Sequence, residues 1–335
     1  MGRPTVQDVA EAAQVSLATV DRVLNRRGGV AAKSVEKVEA AVLRVGYIRD
    51  EAAAIMGAKR TYRFGFILPV ARTGFAAALR DAVEAEAAQL AGSRVSLDVI
   101  AVPPFDVPAQ VAALRNVNAD AVAVMASEVP EVSFEVSRLV AAGVPVVTLV
   151  ADIHGSPRAC YVGPDNVRAG RTAADFMGRL TAGVGRVLMI AGSLVARDHA
   201  ERVLGFRRVM RERYAQIDIL PEVEGGDDPA RIEALVDAAL VQGPLAGVYA
   251  IGAGHRGVLR ALAPVMPRPV TIVHELTETT RAGLLAGTVD LVLDQDPHAE
   301  VARAVDLLKR LSTGRDIPAG AGETNVNIFI RENVR

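Results

Sequence analysis

Apolar residues near the start of the chain recur with the spacing of α-helices. Four of them fall at i, i+3, i+4 and i+7 and mark one buried face: Val6, Val9, Ala10 and Ala13. Thr5 precedes this face as an N-cap, with Asp8 three residues further on. The pattern restarts at Ser16, a second N-cap, and continues in a new apolar face of Val20, Val23 and Leu24. The stretch from Thr5 to Asn25 therefore predicts two short helices joined by a tight turn.

The second helix carries a different set of residues on its other side. These are Leu17, Ala18, Thr19, Asp21, Arg22 and Asn25. Such a pair is typical of a helix-turn-helix, whose second helix enters the major groove of DNA with its N-terminal residues at the base edges. An ordinary helical hairpin that covers another core is the alternative.

A third amphipathic helix is predicted over Lys33 to Val45, ended by Gly46. Residues 50–60, DEAAAIMGAKR, are rich in alanine but have little to bury. We expect this segment to become helical only on contact with a partner, and a plain tether is the alternative.

From Phe64 onward, continuous apolar runs alternate with helical patterns. The runs are RFGFILP, VSLDVIAV, DAVAVMA, PVVTLV, RVLMIAG, LAGVYAIG, PVTIVHE and LVLDQ, and the helical patterns include Phe75–Leu90, Val107–Val117, Pro130–Ala142 and Pro297–Leu311. Apolar strands separated by helices are typical of parallel sheets covered on both faces. Roughly half of the runs precede Ala151 and half follow Gly185, which predicts two doubly wound lobes with a cleft at the carboxyl ends of their strands.

Composition narrows the function classes. The 335 residues, 50% of them hydrophobic, suffice for two or three compact units. The single cysteine, Cys160, excludes a disulfide framework, and the five histidines lack close ligand spacing, so we expect neither a metal nor a cofactor. No signal peptide or membrane-length apolar stretch is recognisable, which favours a cytoplasmic protein without membrane contact. A weakly basic head on an acidic body is compatible with DNA contact at one end.

The chain resembles the lactose-repressor (LacI) family of bacterial transcription regulators. The resemblance rests on DVAEAAQVSLATVDRVLN, a third helix ending in RVGY and the alanine-rich segment, in that order, and it continues through the two-lobed body. It implies an α/β protein with an N-terminal helix-turn-helix DNA-binding domain (residues 1–48) and a hinge helix and linker (49–61). A two-lobed, doubly wound, periplasmic-binding-protein-like domain for effector binding and dimerisation follows (62–335). The implied function is transcriptional regulation, usually repression, and not catalysis.

The same resemblance implies roles for residues of the head. The base-reading positions are occupied by Leu17, Ala18 and Arg22, of which Arg22 can donate two hydrogen bonds to a guanine edge. Further DNA contacts, mostly to phosphates, are expected from Thr5, Ser16, Thr19 and Asn25. Asp21 stands where the family usually has a serine, and we expect it to pair with Arg22 or Arg26; a reduction of DNA affinity by repulsion is the alternative.

In the hinge, Met56 stands where the family has a leucine that wedges into the minor groove and kinks the operator. A methionine that packs on the body is the alternative. The family's Arg-Pro-Asn after the tyrosine is replaced by Ile48-Arg49-Asp50, so the hinge departs further from the family pattern than the head does.

The effector positions of the family fall on seven residues of the body: Thr73, Phe75, Asn166, Arg202, His255, Glu275 and Gln295. Such mixed donors and acceptors suit a ligand with several hydroxyls, because each buried hydroxyl must be paired. The expected effector is a sugar, sugar alcohol or related polyol. Ribose-type binders have an Asp-Arg pair after PVVTL where this chain has Val150-Ala151, so recognition as a pentose is not expected. For His255, a position in a surface loop is the alternative.

Two other functions compete with this interpretation. Residues 252–257 read GAGHRG, a GxGxxG between a strand and a helical segment, with Glu275 about twenty residues further on, as in an NAD-linked dehydrogenase. A secreted solute-binding protein is the second alternative, although the head argues against it.

The resemblance also implies a mechanism. A homodimer places two recognition helices on the half-sites of double-stranded operator DNA. Effector binding closes the lobes and changes the spacing or order of the paired hinges, so that effector affinity and DNA affinity are linked reciprocally.

Overall fold

The computed structural model describes residues 4–24, 28–45, 47, 61–71 and 74–334. The described part of the head contains three helices, α1 (Val6–Ala13), α2 (Leu17–Leu24) and α3 (Ala32–Val45). Both predicted caps are confirmed. The Thr5 hydroxyl accepts the Asp8 N–H at 3.3 Å while the Asp8 carboxylate accepts the Thr5 N–H at 2.6 Å, and the Ser16 hydroxyl accepts the Thr19 N–H at 3.1 Å.

Small side chains let the three head helices approach one another closely. Their shared core consists of Val9, Ala10, Ala13, Val20, Val38 and Ala41, all of them buried. The Arg44 guanidinium on α3 donates to the Ala12 carbonyl near the end of α1, where a cation is favoured by the helix dipole. The head thus has a core of its own.

The first lobe is a parallel sheet covered by helices. Its elements along the chain are β1 (Tyr62–Pro69), α4 (Phe75–Gln89), β2 (Val95–Val102), α5 (Val107–Asn116), β3 (Ala121–Val124), α6 (Pro130–Ala141), β4 (Val146–Leu149) and β5 (Cys160–Pro164). The strands lie in the order β2-β1-β3-β4-β5 and are all parallel. β3 and β4 are buried along their whole length, as expected for strands covered on both faces.

The second lobe repeats this plan. It contains α7 (Asn166–Leu180), β6 (Gly185–Ala191), α8 (Arg197–Arg213), β7 (Ile217–Ile219), β8 (Val223–Glu224), α9 (Pro229–Val241), β9 (Gly247–Ala250), α10 (His255–Leu262), β10 (Val270–His274), α11 (Glu278–Ala286) and β11 (Leu291–Gln295). The parallel strands lie in the order β7-β6-β9-β10-β11, and β8 pairs with the end of β6. The prediction of two doubly wound lobes is therefore confirmed.

Among the residues that the structure describes, the chain crosses between the lobes three times, a feature that the sequence did not predict. The first crossing joins β5 to α7, and the second joins β11 to α12 (Pro297–Ser312), which packs on the core of the first lobe. The third joins β12 (Glu323–Thr324), parallel to β5 in the first sheet, to β13 (Val326–Phe329), antiparallel to β11 in the second. Each lobe is consequently built from separate stretches of sequence.

Within the described part of the chain, no helix combines the length and the apolar character that a bilayer crossing needs.

Candidate functional site between the lobes

The loops that follow the strands of the two sheets meet each other. The backbone N–H of Glu128, after β3, donates to the Val195 carbonyl, after β6, at 2.9 Å. The ring of Phe105, after β2, lies 6.1 Å from the ring of His199 on α8, measured between centroids. The carboxyl ends of the strands therefore line an interlobe cleft, the place where open α/β sheets bind ligands.

Four of the predicted effector residues form one chain of contacts at this edge. Arg202 Nε donates to Asn166 Oδ1 at 2.9 Å, and Arg202 Nη2 lies 3.9 Å from Glu275 Oε1. Gln295 Nε2 donates to the same Glu275 oxygen at 2.7 Å. All four side chains are buried, between 1% and 6% exposed. Because they come from α7, α8 and the ends of β10 and β11, their convergence is a product of the fold.

A pair of glycines sets the distance between Asn166 and Arg202. A Cβ on Gly170 of α7 would lie 2.0 Å from the Arg202 carbonyl oxygen, and one on Gly205 of α8 would lie 2.0 Å from the Val167 carbonyl oxygen. Neither position has room for a side chain, so the two helices pack backbone to backbone. Asn166, the first residue of α7, is thereby held against the middle of α8.

Further polar side chains near Asn166 and Arg202 were not predicted from the sequence. The Tyr161 hydroxyl accepts from Asn166 Nδ2 at 3.0 Å and donates to the Val150 carbonyl at 2.8 Å. Glu300 on α12 is completely buried, and Asp198 and His199 on α8 are nearly so. Their helices carried no motif that set these positions apart, and only their burial reveals them.

Burial dominates the electrostatics of the site. It raises the pKa of Glu275 to about 8, with Arg202 acting in the opposite direction. Burial and the nearby Glu275 raise the pKa of Glu300 well above its usual value. Burial, reinforced by the charge of Arg202, also keeps the pKa of His274 well below its usual value. Near neutral pH the site therefore holds carboxyl groups that ionise with difficulty beside one permanent cation.

Backbone strain is concentrated at the same edge. Four non-glycine residues with positive φ follow strand ends: Phe105 (57°), Val150 (66°), Asp227 (57°) and Glu275 (67°). This left-handed region is unfavourable for side-chain-bearing residues and most of all for a β-branched valine. Such strain persists where the surrounding structure enforces it, and it clusters at binding sites.

The remaining predicted effector residues are placed differently. Thr73 lies outside the described residues. Phe75 begins α4 after β1 and packs, partly buried, against the core of the first lobe. His255 begins α10 and is only 6% exposed, so the alternative of a surface loop is wrong. Burial lowers the pKa of His255 to about 4, which keeps the imidazole neutral.

Asp152, which follows Val150-Ala151, uses its carboxylate in hydrogen bonds within the protein. Its carboxylate accepts from the Thr148 hydroxyl at 2.7 Å, from the Ile153 N–H at 2.8 Å and from both Nε and Nη2 of Arg158. His154 Nδ1 lies 3.1 Å from its second oxygen. A carboxylate with so many partners has little capacity left for a ligand.

The GxGxxG turn is explained by packing. A Cβ on Gly252 would lie 2.6 Å from Asp227 Oδ1, and one on Gly257 would lie 2.1 Å from the Pro229 carbonyl oxygen. Asp227 Oδ1 accepts the Ala253 N–H at 2.8 Å, a backbone donor that a pyrophosphate would otherwise engage. The Asp227 carboxyl group therefore occupies the place that the pyrophosphate of a dinucleotide would need.

The head presents the predicted recognition face to solvent. Leu17, Ala18 and Arg22 are exposed, while Val20 on the opposite side of α2 is completely buried. The Ser16 and Thr19 hydroxyls lie 2.9 Å apart at the start of α2, and the Thr5 hydroxyl donates to Asp8 at 2.7 Å. Asn25, Arg26 and Met56 lie outside the described residues, so their roles and the pairing of Asp21 stay predictions.

Among the residues that the structure describes, no three His, Cys, Asp or Glu side chains converge as metal ligands.

Family models match both parts of the chain. The model described as "Periplasmic binding protein domain" matches residues 64–316, and the one described as "Bacterial regulatory proteins, lacI family" matches residues 5–50. The body is also similar to solved structures: GanP, a glucose-galactose binding protein from Geobacillus stearothermophilus (TM-score 0.75, 21% identity, 82% of this chain and 99% of that one), is one of them. A solute-binding protein from Burkholderia graminis in complex with D-arabinose is another (TM-score 0.75, 24% identity, 83% and 98%). At these identities the likeness concerns the fold alone.

Curated relatives are regulators. The HTH-type transcriptional regulator DegA of Bacillus subtilis is 26% identical over 64% of this chain and 63% of its own length. The maltose regulon regulatory protein MalI of Vibrio furnissii is 41% identical over 19% and 47%, and the lactose operon repressor of Escherichia coli is 44% identical over 18% and 17%. The chain thus spans less than two thirds of the length of these relatives. They are transcriptional regulators and not enzymes, and nothing among them supports the dehydrogenase alternative. With a periplasmic-binding-protein body over residues 64–316 behind a helix-turn-helix head over residues 5–50, the chain belongs to the family described as periplasmic binding protein domain, and its head belongs to the lacI family of bacterial regulatory proteins.

Proposed function

We propose that this protein is a sequence-specific repressor whose head binds double-stranded operator DNA and whose interlobe cleft binds a sugar, sugar alcohol or related polyol. One observation carries the proposal: the same protein has an exposed recognition face on α2 and a buried series of polar side chains that contact one another from Asn166 to Gln295. Relatives described as lactose and sucrose operon repressors, and a similar fold in complex with D-arabinose, support a carbohydrate as the class of effector.

On the DNA side, Leu17, Ala18 and Arg22 read bases and Ser16 and Thr19 contact phosphates. Leu17, Ala18 and Arg22 are exposed in the first two turns of α2, and the Ser16 and Thr19 hydroxyls lie at its start, which supports these roles. The Thr5 hydroxyl is engaged in its capping box, so Thr5 approaches DNA mainly as the start of α1. Asn25 adds a phosphate contact and Met56 a minor-groove wedge.

On the effector side, Asn166, Arg202, Glu275 and Gln295 contact the ligand, with Phe75, Thr73 and His255 around them. The proposal includes a division into a head (1–48), a hinge (49–61) and a body (62–335), and a cytoplasmic homodimer formed through the body. Closure of the lobes on the effector changes the spacing of the two heads, so that effector and operator affinities are linked reciprocally.

Fluorescence anisotropy of the full-length protein tests this function. A labelled duplex from the promoter next to its gene should bind more tightly than a random duplex of equal length, at a fixed salt concentration. A panel of sugars and alditols should contain at least one compound that changes the ratio of the affinity for the promoter duplex to the affinity for the random duplex. Equal affinity for both duplexes, with and without every member of the panel, would contradict the proposal.

A further inference from the structure

Glu275 and Gln295 contact each other at the carboxyl ends of two neighbouring strands. Glu275 follows β10, and Gln295 ends β11, which pairs with β10 in parallel. Gln295 Nε2 donates to Glu275 Oε1 at 2.7 Å. The second oxygen of each side chain, Glu275 Oε2 or Gln295 Oε1, is buried and has no hydrogen-bond partner among the described residues. Because buried polar atoms in proteins are almost always paired, these two adjacent oxygens indicate a place that a ligand satisfies.

Arg202 is too far from this carboxyl group to hydrogen-bond to it. Its Nε donates to Asn166 Oδ1 at 2.9 Å and its Nη1 donates to the Ile251 carbonyl at 3.0 Å, whereas its Nη2 lies 3.9 Å from Glu275 Oε1. A buried ionised carboxylate normally has a close cation and hydrogen bonds to its oxygens, so the contacts of Glu275 suit the uncharged acid better. Burial raises the pKa of Glu275 to about 8, although Arg202 acts in the opposite direction, and the proton is therefore kept near neutral pH.

The titratable neighbours of Glu275 that the structure describes bring no further positive charge. Asp294 on β11 is an acid, and its charge adds to the rise in the pKa of Glu275 that burial causes. Glu300 on α12 is a second acid, and burial raises its own pKa well above the usual value. His274 on β10 is neutral, because burial and the charge of Arg202 keep its pKa well below the usual value. None of these groups favours the ionised form of Glu275.

We infer that Glu275 binds the effector as an uncharged carboxylic acid, whose Oε2 hydroxyl donates a hydrogen bond to a ligand oxygen while Gln295 Oε1 accepts one from the ligand. A single ligand hydroxyl satisfies both atoms, because it accepts and donates at once. An ionised Glu275 would instead present a second acceptor beside Gln295 Oε1 and would need two ligand donors. This inference rests on the proposed function and adds that effector affinity depends on the Glu275 proton.

The dependence of effector affinity on pH tests the inference. Full-length protein is screened by thermal shift against D-glucose, D-galactose, D-arabinose, D-xylose and their alditols, and at least one compound should bind. Its affinity is then measured by calorimetry. Because only the protonated acid offers the donor, the affinity should fall about tenfold between about pH 6.5 and about pH 9, with most of the loss above pH 8.

Three variants assign this loss to Glu275. Glu275→Gln keeps a donor without an ionisable group, so its affinity should be nearly independent of pH over the same range. Glu275→Ala lacks the donor and should bind about tenfold more weakly than Glu275→Gln near neutral pH. Glu300→Gln is the matched control, because it removes the other buried acid with a raised pKa, and the loss of affinity toward high pH should persist in it.

Infrared difference spectra of the wild type against Glu275→Gln report the proton without any ligand. The C=O stretch of a protonated carboxylic acid should appear in the difference at about pH 6.5 and be largely lost at about pH 9. Absence of this band at the lower pH would overturn the inference.

Four binding results would also overturn it: an affinity of the wild type that does not change with pH, a loss that persists in Glu275→Gln, a loss that disappears in Glu300→Gln, or no binding by any compound. Operator binding by anisotropy separates these failures from failure of the proposed function, because an intact preference for the promoter duplex leaves the regulator proposal standing.

Discussion

The carboxylate of Glu128 in the first lobe accepts two hydrogen bonds from Arg197 Nη1 in the second, at 2.8 and 3.0 Å. Both side chains are partly buried, about a quarter exposed, and Arg197 is held in place by Glu201 at 2.7 Å. Glu128 Oε1 also accepts the His154 N–H at 2.8 Å. The pair joins the lobes beside the cleft without belonging to the chain from Asn166 to Gln295, so it favours the closed arrangement of the body.

Glu128→Gln should weaken effector binding because it removes the charge that holds the closed lobes together. We expect a loss of about fivefold or more in affinity for the compound found by thermal shift, measured by calorimetry. The control is Glu212→Gln, which weakens ion pairs with Arg208 and Arg171 that lie within the second lobe. An equal effect of the two variants would show that the interlobe location is irrelevant.

Arg22→Ala should reduce operator affinity by roughly 1 to 3 kcal/mol and relax the preference at one base pair. The reason is its exposed position on α2 and its capacity for two parallel hydrogen bonds to guanine. Anisotropy with single-base operator variants measures both effects. Lys37→Ala on the exposed face of α3 removes the same charge and should leave base preference intact. A uniform loss on every duplex would reassign Arg22 to phosphate contact.

Arg202→Ala should destabilise the body as well as abolish the effector response. Removing this buried side chain leaves the Asn166 amide oxygen and the Ile251 carbonyl without the donors that Arg202 gives them, and each unsatisfied buried acceptor costs roughly 1 to 3 kcal/mol. Urea unfolding of residues 61–335 measures the loss. Arg208→Ala, exposed on the same helix, should cost less than about 1 kcal/mol. A similar free energy of unfolding for the two variants would exclude a structural role for Arg202.

Glu275 should make stability depend on pH. Its pKa is about 8 in the folded protein against 4.5 as the ordinary value, so the folded state holds the proton more tightly. Stability from this group is complete at low pH and is lost as pH rises toward 8. Glu275→Gln should therefore flatten the decline in Tm between about pH 5 and about pH 8, whereas the exposed Glu131→Gln should not. Parallel curves for wild type and Glu275→Gln would contradict the raised pKa.

Gly170→Ala should separate α7 from α8, since its methyl group would lie 2.0 Å from the Arg202 carbonyl oxygen. Overpacking of this kind costs typically about 1 to 3 kcal/mol. We expect a lower Tm and weaker effector binding together, because Asn166 and Arg202 move apart. Gly28→Ala, with open space around its Cβ, serves as the tolerant control. An unchanged Tm in Gly170→Ala would mean that the helices adjust freely.

Much of this architecture was readable from residue patterns. The spacing from Val6 to Leu24 gave two capped helices, because a short amphipathic helix needs its apolar stripe and its N-cap wherever it occurs. Apolar runs such as AVAV in β3 predicted parallel sheets, because strands buried on both faces contain little else. Asn166, Arg202, Glu275 and Gln295 were found through family motifs, and the structure brings them together.

Contacts between segments that are distant in the sequence could not be predicted from residue patterns. β5, with the sequence CYVGP, and the two-residue strand β12 carry no strand signal of their own and exist because neighbouring strands pair with them. Glu300 resembles any helical glutamate, and only the return of α12 to the first lobe buries it. For GAGHRG, the local pattern was compatible with a dinucleotide turn until Asp227 was seen to occupy it.

The residues that follow Asp316 link the two lobes of the body, because β12 pairs in the first sheet and β13 pairs in the second. A premature stop after Asp316 would remove β12 from one sheet and β13 from the other, leaving each with a new unpaired edge. Loss of the residues that follow Asp316 should therefore damage both lobes at once, because each sheet loses its edge strand.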